Sequence, residues 1–242
     1  PVFGIGIAKA GAGAGGLEQM GSKAFNLQRM AAAGLPVPQA FVLGAAWCAR
    51  HQADPDGTRQ AMHDALGEWT RRLEQACGLA FGGERKPLLV SVRSGAPVSM
   101  PGMMDTVLNL GLNDETVEGM AKLTDNPRFA YDSYRRFISV FGDVVMGVES
   151  QAFEDALTQK KAEVGAKLDT DLTADDLEDL CNRLKAVLLK AAGESFPNDP
   201  MKQLHLAIVA VFKSWDNHRA KVYRRTQGIP DDLGTAVNVQ SM

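Results

Sequence analysis

The residues best suited to chemistry in this chain gather around one arginine. In the stretch VRSGAPVSMPGMMDT, Arg93 follows a short apolar run, Leu88-Leu89-Val90, and precedes a dozen small or apolar residues with almost no charge. A polyphosphate needs this combination. Its oxygens accept from backbone N–H groups that only small residues allow to come close, and a guanidinium can bind them through two parallel hydrogen bonds. At the end of a strand, Arg93 would have a rigidly held stem, and residues 94–106 would supply small side chains and donors. Lys23, at the start of an expected helix, adds a second cation beside N–H groups that favour anions. An arginine after a strand serves a structural salt bridge equally well, so residue chemistry alone leaves both readings open.

Other arrangements carry less. Gly11, Gly13 and Gly16 spell the G-x-G-x-x-G of a dinucleotide site. That pattern expects an acidic residue about 20 positions further on. Between Glu18 and Asp54 there is none, so a plain or phosphate-adjacent loop is the better reading than an NAD site. Cys48 and His51 form a C-x-x-H with no second ligand pair, and a metal site is not expected there. His51, His63, His205 and His218 read as structural or solvated.

Elements that could position these residues follow from periodicity. VFGIGIA, AFVL and PLLVSVRS read as strands, and SKAFNLQRMAAAG as a helix closed by Gly34. Asn126-Pro127 opens a helix with Ala130, Tyr134, Phe137 and Phe141 on one face, ending at Gly142. Thr173 caps another bearing Leu177, Leu180, Leu184 and Leu188, with Gly193 past its end. Asp199-Pro200 opens a third with Leu204, Ile208, Val211 and Trp215 as its buried stripe, and the tail GTAVNVQSM reads as a strand. With no covering element after that strand and proline at position 1, the chain is expected to be part of a longer protein.

Composition sets the outer bounds. The 242 residues, 45% hydrophobic and 23% charged, suffice for one large domain or two smaller ones with a real core. A net charge of -3 gives no basic excess for a nucleic-acid backbone. Three distant cysteines, Cys48, Cys77 and Cys181, suggest neither a disulfide frame nor structural zinc, which fits a reducing cytoplasm. No apolar run approaches the roughly 20 residues of a membrane span, and no basic segment precedes the first apolar patch, so neither membrane nor secretion is expected.

Taken together, GSKAFNLQRMAAAGLPVPQAFVL, LLVSVRSGAPVSMPGMMDTVLNLGLND, RFAYDSYRRFISVFGDVVMGV and SWDNHRAKVYRRTQGIPDDLGTAVNVQSM closely resemble the N-terminal nucleotide-binding region of the pyruvate phosphate dikinase family. The similarity runs in order from Gly21 to Met242. It implies an α+β chain, one α/β lobe of an ATP-grasp domain (residues 1–112 plus 199–242) with an inserted all-helical subdomain (113–198). The second lobe, the phosphohistidine domain and the pyruvate-binding barrel would lie elsewhere. The implied enzyme passes the β-phosphoryl of ATP to a carrier histidine and the γ-phosphoryl to inorganic phosphate, and makes phosphoenolpyruvate; this piece alone is expected to be inactive.

The family's ATP-binding lysine, in GGKGANL, falls on Lys23, and its phosphate-contacting arginine, in SVRSGA, on Arg93. Gly102, Met103 and Met104 would line the polyphosphate through backbone N–H groups. Asp105 and Thr106 would either join them or fix the loop by local hydrogen bonds. Ser22 stands where the family has its second glycine, and its hydroxyl could still donate. Mg²⁺ is implied, with its acidic ligands outside this chain, as are a mobile phosphohistidine domain as partner and a homodimeric full-length protein. Arg219, Lys221, Arg224 and Arg225 would either dock that domain or form an ordinary helix end. A phosphoenolpyruvate synthase or other water dikinase, and a non-catalytic nucleotide-binding module, are the rival readings.

Overall fold

A computed structural model describes residues 1–7 and 15–242 of this α+β chain. Gly11 and Gly13 of the dinucleotide-like pattern lie outside the described residues. The chain forms two compact units: Pro1–Leu79, Val90–Thr106 and Leu204–Met242 make the first, Ala80–Leu89 and Val107–Gln203 the second.

Four antiparallel strands form the sheet of the first unit, in the order β1 (Val2–Ile5), β2 (Ala40–Leu43), β5 (Ala236–Ser241) and β3 (Val90–Gly95). The tail strand β5 thus pairs on both sides, with β2 and β3. Residues directly opposite in antiparallel strands point to the same face. Phe3 faces Val42, Val42 faces Asn238 and Asn238 faces Arg93, so these four side chains share one side of the sheet. Helix α1 (Leu17–Ala32) covers that side: Met20 and Ala24 pack with Phe3, Ile5, Ala40, Val42 and Ala236. Helices α2 (Ala45–Ala53) and α3 (Pro55–Cys77) carry further core residues. Trp69 of α3 lies 6.3 Å from the ring of Phe41. Asp54 caps α3 by accepting from the Gly57 N–H at 2.9 Å, and Pro55 takes the first helical position.

Strand β4 (Thr106–Leu110) leads into the second unit, which is mainly helical: α4 (Thr116–Thr124), α5 (Pro127–Val144), α6 (Ser150–Val164) and α7 (Ala174–Ala192). Tyr134, Phe137, Phe141 and Phe196 form an aromatic core with ring centroids 5.5–6.0 Å apart and edges turned to faces. Asn126 and Thr173 cap α5 and α7 through the N–H groups of Phe129 and Asp176. Gly142 does not end α5, which continues to Val144. A Cβ there would lie 2.3 Å from the ring of Phe153, so the glycine marks close packing of α6 rather than a stop.

The division of the chain also differs from the sequence expectation. Residues 80–89, 107–112 and 199–203 belong to the second unit. Backbone contact explains the first segment: a Cβ on Gly119 would lie 1.8 Å from the Glu84 carbonyl, and one on Gly111 2.9 Å from that of Leu88. Gln203, fully buried, ties the others by donating to the carbonyls of Leu112 (3.0 Å) and Pro197 (2.7 Å) while accepting from the Gly111 N–H at 3.1 Å. Helix α8 (Pro200–Ser214) begins in the second unit and continues in the first, where α9 (His218–Gln227) follows.

Candidate functional site

The site starts from a break in a helix. At Gly21 α1 is interrupted, with φ 75° and ψ 162°, and the helix restarts at Ser22 and Lys23. A Cβ at Gly21 would lie 1.8 Å from the Gly95 carbonyl oxygen. Only glycine satisfies both conditions, a left-handed φ and backbone-to-backbone contact with the end of β3. The restarted helix is stitched to that strand. Ser22 donates its N–H (3.0 Å) and its hydroxyl (3.3 Å) to the Ala96 carbonyl, and the Lys23 Nζ donates to the Ser94 carbonyl at 3.3 Å. The serine hydroxyl that stands in for a family glycine is therefore directed at protein backbone.

A cleft of about 400 Å³ opens beside this junction, lined by Ser22, Lys23, Ser94, Ala96 and the loop residues Val98, Ser99, Met100, Pro101, Gly102, Met104 and Thr106. Among the described residues, no acidic side chain lines it. Partial burial of the ammonium group, and then the nearby Arg93 guanidinium, hold the Lys23 pKa below the ordinary lysine value, although the residue as a whole is exposed. Arg93 itself is not a lining residue. It stands on β3 opposite Asn238, on the side covered by α1, and its Nε is buried without a hydrogen-bond partner among the described residues. Two neighbouring cations with no carboxylate in the lining form a site electrostatically suited to an anion.

The structure thus brings Lys23, Gly102, Met104 and Thr106 to one cleft, with Arg93 close to Lys23. Met103 and Asp105 are elsewhere occupied. The Met103 N–H donates to the Met100 carbonyl at 3.2 Å, its side chain packs towards Trp215 and Ala220, and the Asp105 carboxylate accepts from Arg219. Of the two readings for Asp105, the contacts fit the one in which it fixes the loop. Among the described residues, the cleft lining offers no carboxylate for Mg²⁺, and no group of three or more His, Cys, Asp or Glu suited to a metal occurs. The residues present do not by themselves make a magnesium site.

The basic cluster on α9 needs a correction. Arg224 is fully buried: it lies 4.1 Å over the Trp215 ring, donates to the Trp215 carbonyl at 2.5 Å and to Asp231 at 2.7 Å. It is a core residue and offers nothing to a docking partner. Lys221 pairs with Asp216 at 3.4 Å, and Arg225 is exposed. Sequence reasoning also passed over Ser214 and Asn217, which touch the loop; the only local signal was an Asn one residue before a helix, a capping position.

Comparisons with known proteins agree with the resemblance. Residues 55–242 match the family model described as pyruvate phosphate dikinase, AMP/ATP-binding domain. The chain is 53% identical over 224 residues to a pyruvate, phosphate dikinase of Clostridium symbiosum, covering 92% of this chain and 26% of that protein. It is 49% identical over 226 residues to one of Giardia intestinalis, covering 92% and 25%. To pyruvate, phosphate dikinase 2 of Zea mays it is 48% identical over 245 residues, covering 100% and 27%. The chain spans about a quarter of the length of the curated relatives it matches.

Proposed function

The chain belongs to the pyruvate phosphate dikinase AMP/ATP-binding-domain family, and from that premise we propose that its cleft holds the polyphosphate of ATP as half of an ATP-grasp clamp. The observation that carries this reading is the paired cations, Lys23 lining the cleft and Arg93 on the neighbouring strand, beside a lining without an acidic group. Phosphoryl transfer asks little covalent chemistry of a protein; positioning and charge neutralisation do most of the work. In the whole protein, transfer of the β-phosphoryl to a carrier histidine and of the γ-phosphoryl to inorganic phosphate would follow. In this chain, Lys23 and Arg93 would offset charge on the phosphates, Gly102 would let the loop backbone approach them, and Met104 and Thr106 would complete the wall.

The test is a calorimetric titration of MgATP into the 242-residue chain and into its Arg93→Ala variant. Binding that the substitution abolishes is the expected result. Equal binding by both would remove Arg93 from the site.

A further inference from the structure

The loop that forms one wall of the cleft is held from behind, at three successive residues, by side chains that do not line the cleft. Asn217 donates from Nδ2 to the Met103 carbonyl at 3.2 Å. Ser214 Oγ lies 3.8 Å from the Met104 sulfur and accepts from the Asp105 N–H at 3.4 Å, its own proton being directed to the Val211 carbonyl at 2.8 Å. Arg219 pairs with the Asp105 carboxylate. All three come from the corner between α8 and α9. That corner is itself braced: Trp215 packs on Ala96 and Met100 and donates from Nε1 to the Asp231 carbonyl at 2.9 Å, while Arg224 stacks on the indole. At the other end of the loop, Val98, Ser99, Pro101 and Gly102 are exposed.

We propose that the α8–α9 corner is a positioning device for the nucleotide loop. Asn217 and Ser214, with Arg219, fix residues 103–105 so that Gly102, Met104 and Thr106 present a preformed wall to the polyphosphate. The inference rests on the proposed nucleotide reading of the cleft. It adds positioning residues that meet no ligand and act through the loop backbone. Ordering the loop in advance spares its ordering entropy on binding, which is where such tethers gain affinity. Asn217 makes the idea separable from simple stability, because one side chain has two jobs. Its Oδ1 caps α9 by accepting from the Ala220 N–H at 2.7 Å, and its Nδ2 holds the loop.

Serine keeps a capping oxygen but is too short to reach the Met103 carbonyl. The experiment therefore compares the wild-type chain with Asn217→Ser and Ser214→Ala by amide hydrogen exchange without ligand, by thermal unfolding, and by titration with inorganic tripolyphosphate and MgATP. Expected for Asn217→Ser are unchanged protection of α9, an unchanged Tm, faster exchange at residues 103–106, and a Kd for tripolyphosphate raised about five- to tenfold, the scale of one lost hydrogen bond. Ser214→Ala should move the same loop amides in the same direction. Unchanged loop exchange in both variants overturns the inference whatever the ligand does. Faster exchange with unaltered tripolyphosphate affinity, while Lys23→Ala still abolishes binding, also overturns it and leaves the anion reading standing. A wild-type chain that binds neither tripolyphosphate nor MgATP defeats the reading of the cleft and this inference with it.

Discussion

The helical unit's ion pairs and the two cations at the cleft of the sheet unit treat charge in opposite ways. In the helical unit, cations meet carboxylates: Lys160 reaches Asp176 and Asp179 at 3.1 and 3.0 Å, Arg135 reaches Asp132 and Asp169 at 2.8 Å each, and Arg183 reaches Glu163 and Asp179. Direct hydrogen bonds hold three of these carboxyls below the usual carboxylate range: from Lys161 and then Arg135 at Asp169, from Thr173 and then Lys160 at Asp176, and from Lys160 and then Arg183 at Asp179. In the sheet unit, Lys23 and Arg93 make no salt bridge among the described residues and repel each other beside the cleft. A network that satisfies itself needs no ligand; a like-charge pair held by a rigid fold gains most when an anion arrives. The contrast locates the candidate function in the first unit and gives the second unit's charges a structural role.

The largest effect should come from Gly21→Ala. It meets a 1.8 Å clash with the Gly95 backbone and a left-handed φ, and should destabilise the chain by at least ~3 kcal/mol in denaturant titrations and abolish nucleotide binding. Gly119→Ala meets an equally close carbonyl, that of Glu84, in the second unit. It should also destabilise, yet leave the affinity of the folded fraction unchanged. Equal loss of affinity in the two variants would erase the contrast between the units.

Next in size is Arg93→Ala. Under the proposed function, the substitution in the full-length protein should slow phosphoryl transfer from ATP by at least ~10²-fold, the scale of one lost transition-state donor. Its stability should stay within about 1 kcal/mol of wild type, because a repulsion is relieved. Lys160→Ala should do the converse: a loss of about 1–3 kcal/mol in chemical unfolding from removing the cation that Asp176 and Asp179 share, and no change in MgATP affinity.

The smallest effect is a shift with pH. The folded pKa of Lys23 lies below its unfolded value, so the unfolded chain binds more protons between the two. Stability of the ligand-free chain should therefore rise with pH through that window. Anion affinity should fall over the same window as the ammonium is lost. Titrations of tripolyphosphate at a series of alkaline pH values read the second trend, and Lys23→Arg should move its onset to higher pH. Affinity that stays flat to the ordinary lysine pKa would take Lys23 out of the site.

Much of this architecture was legible from local signals. The strands around Phe41, Val92 and Val239, the capped starts at Asn126 and Thr173, and the C-terminal cap at Gly193 are written in periodicity and turn chemistry, which act over a few residues. Helices α2, α3, α4 and α6 were not marked: apolar spacing is weak in α2 and α6, whereas α3 carries a regular stripe, Met62, Leu66, Trp69 and Leu73, that was passed over. Gly142 misled for a related reason: a stop glycine and a close-packing glycine look the same until Phe153 arrives from another helix.

The sequence by itself determined that an arginine stands in an apolar strand ahead of a small-residue loop, that a lysine opens a helix, and which family shares those motifs; the strand runs two residues past Arg93, to Gly95. Tertiary structure decided the rest. Pairing of β5 with both β2 and β3 sets Arg93 on the face covered by α1, and the contact of Gly21 with Gly95 places Lys23 beside it. Arg224 became core, Asp105 was tied to Arg219, and Asn217 was brought to Met103 across 114 positions of chain. The physical reason is range. Helix caps and strand alternation depend on neighbours within a turn or two, whereas a cleft between α1, β3 and a loop exists only once distant backbones pack to contact distance.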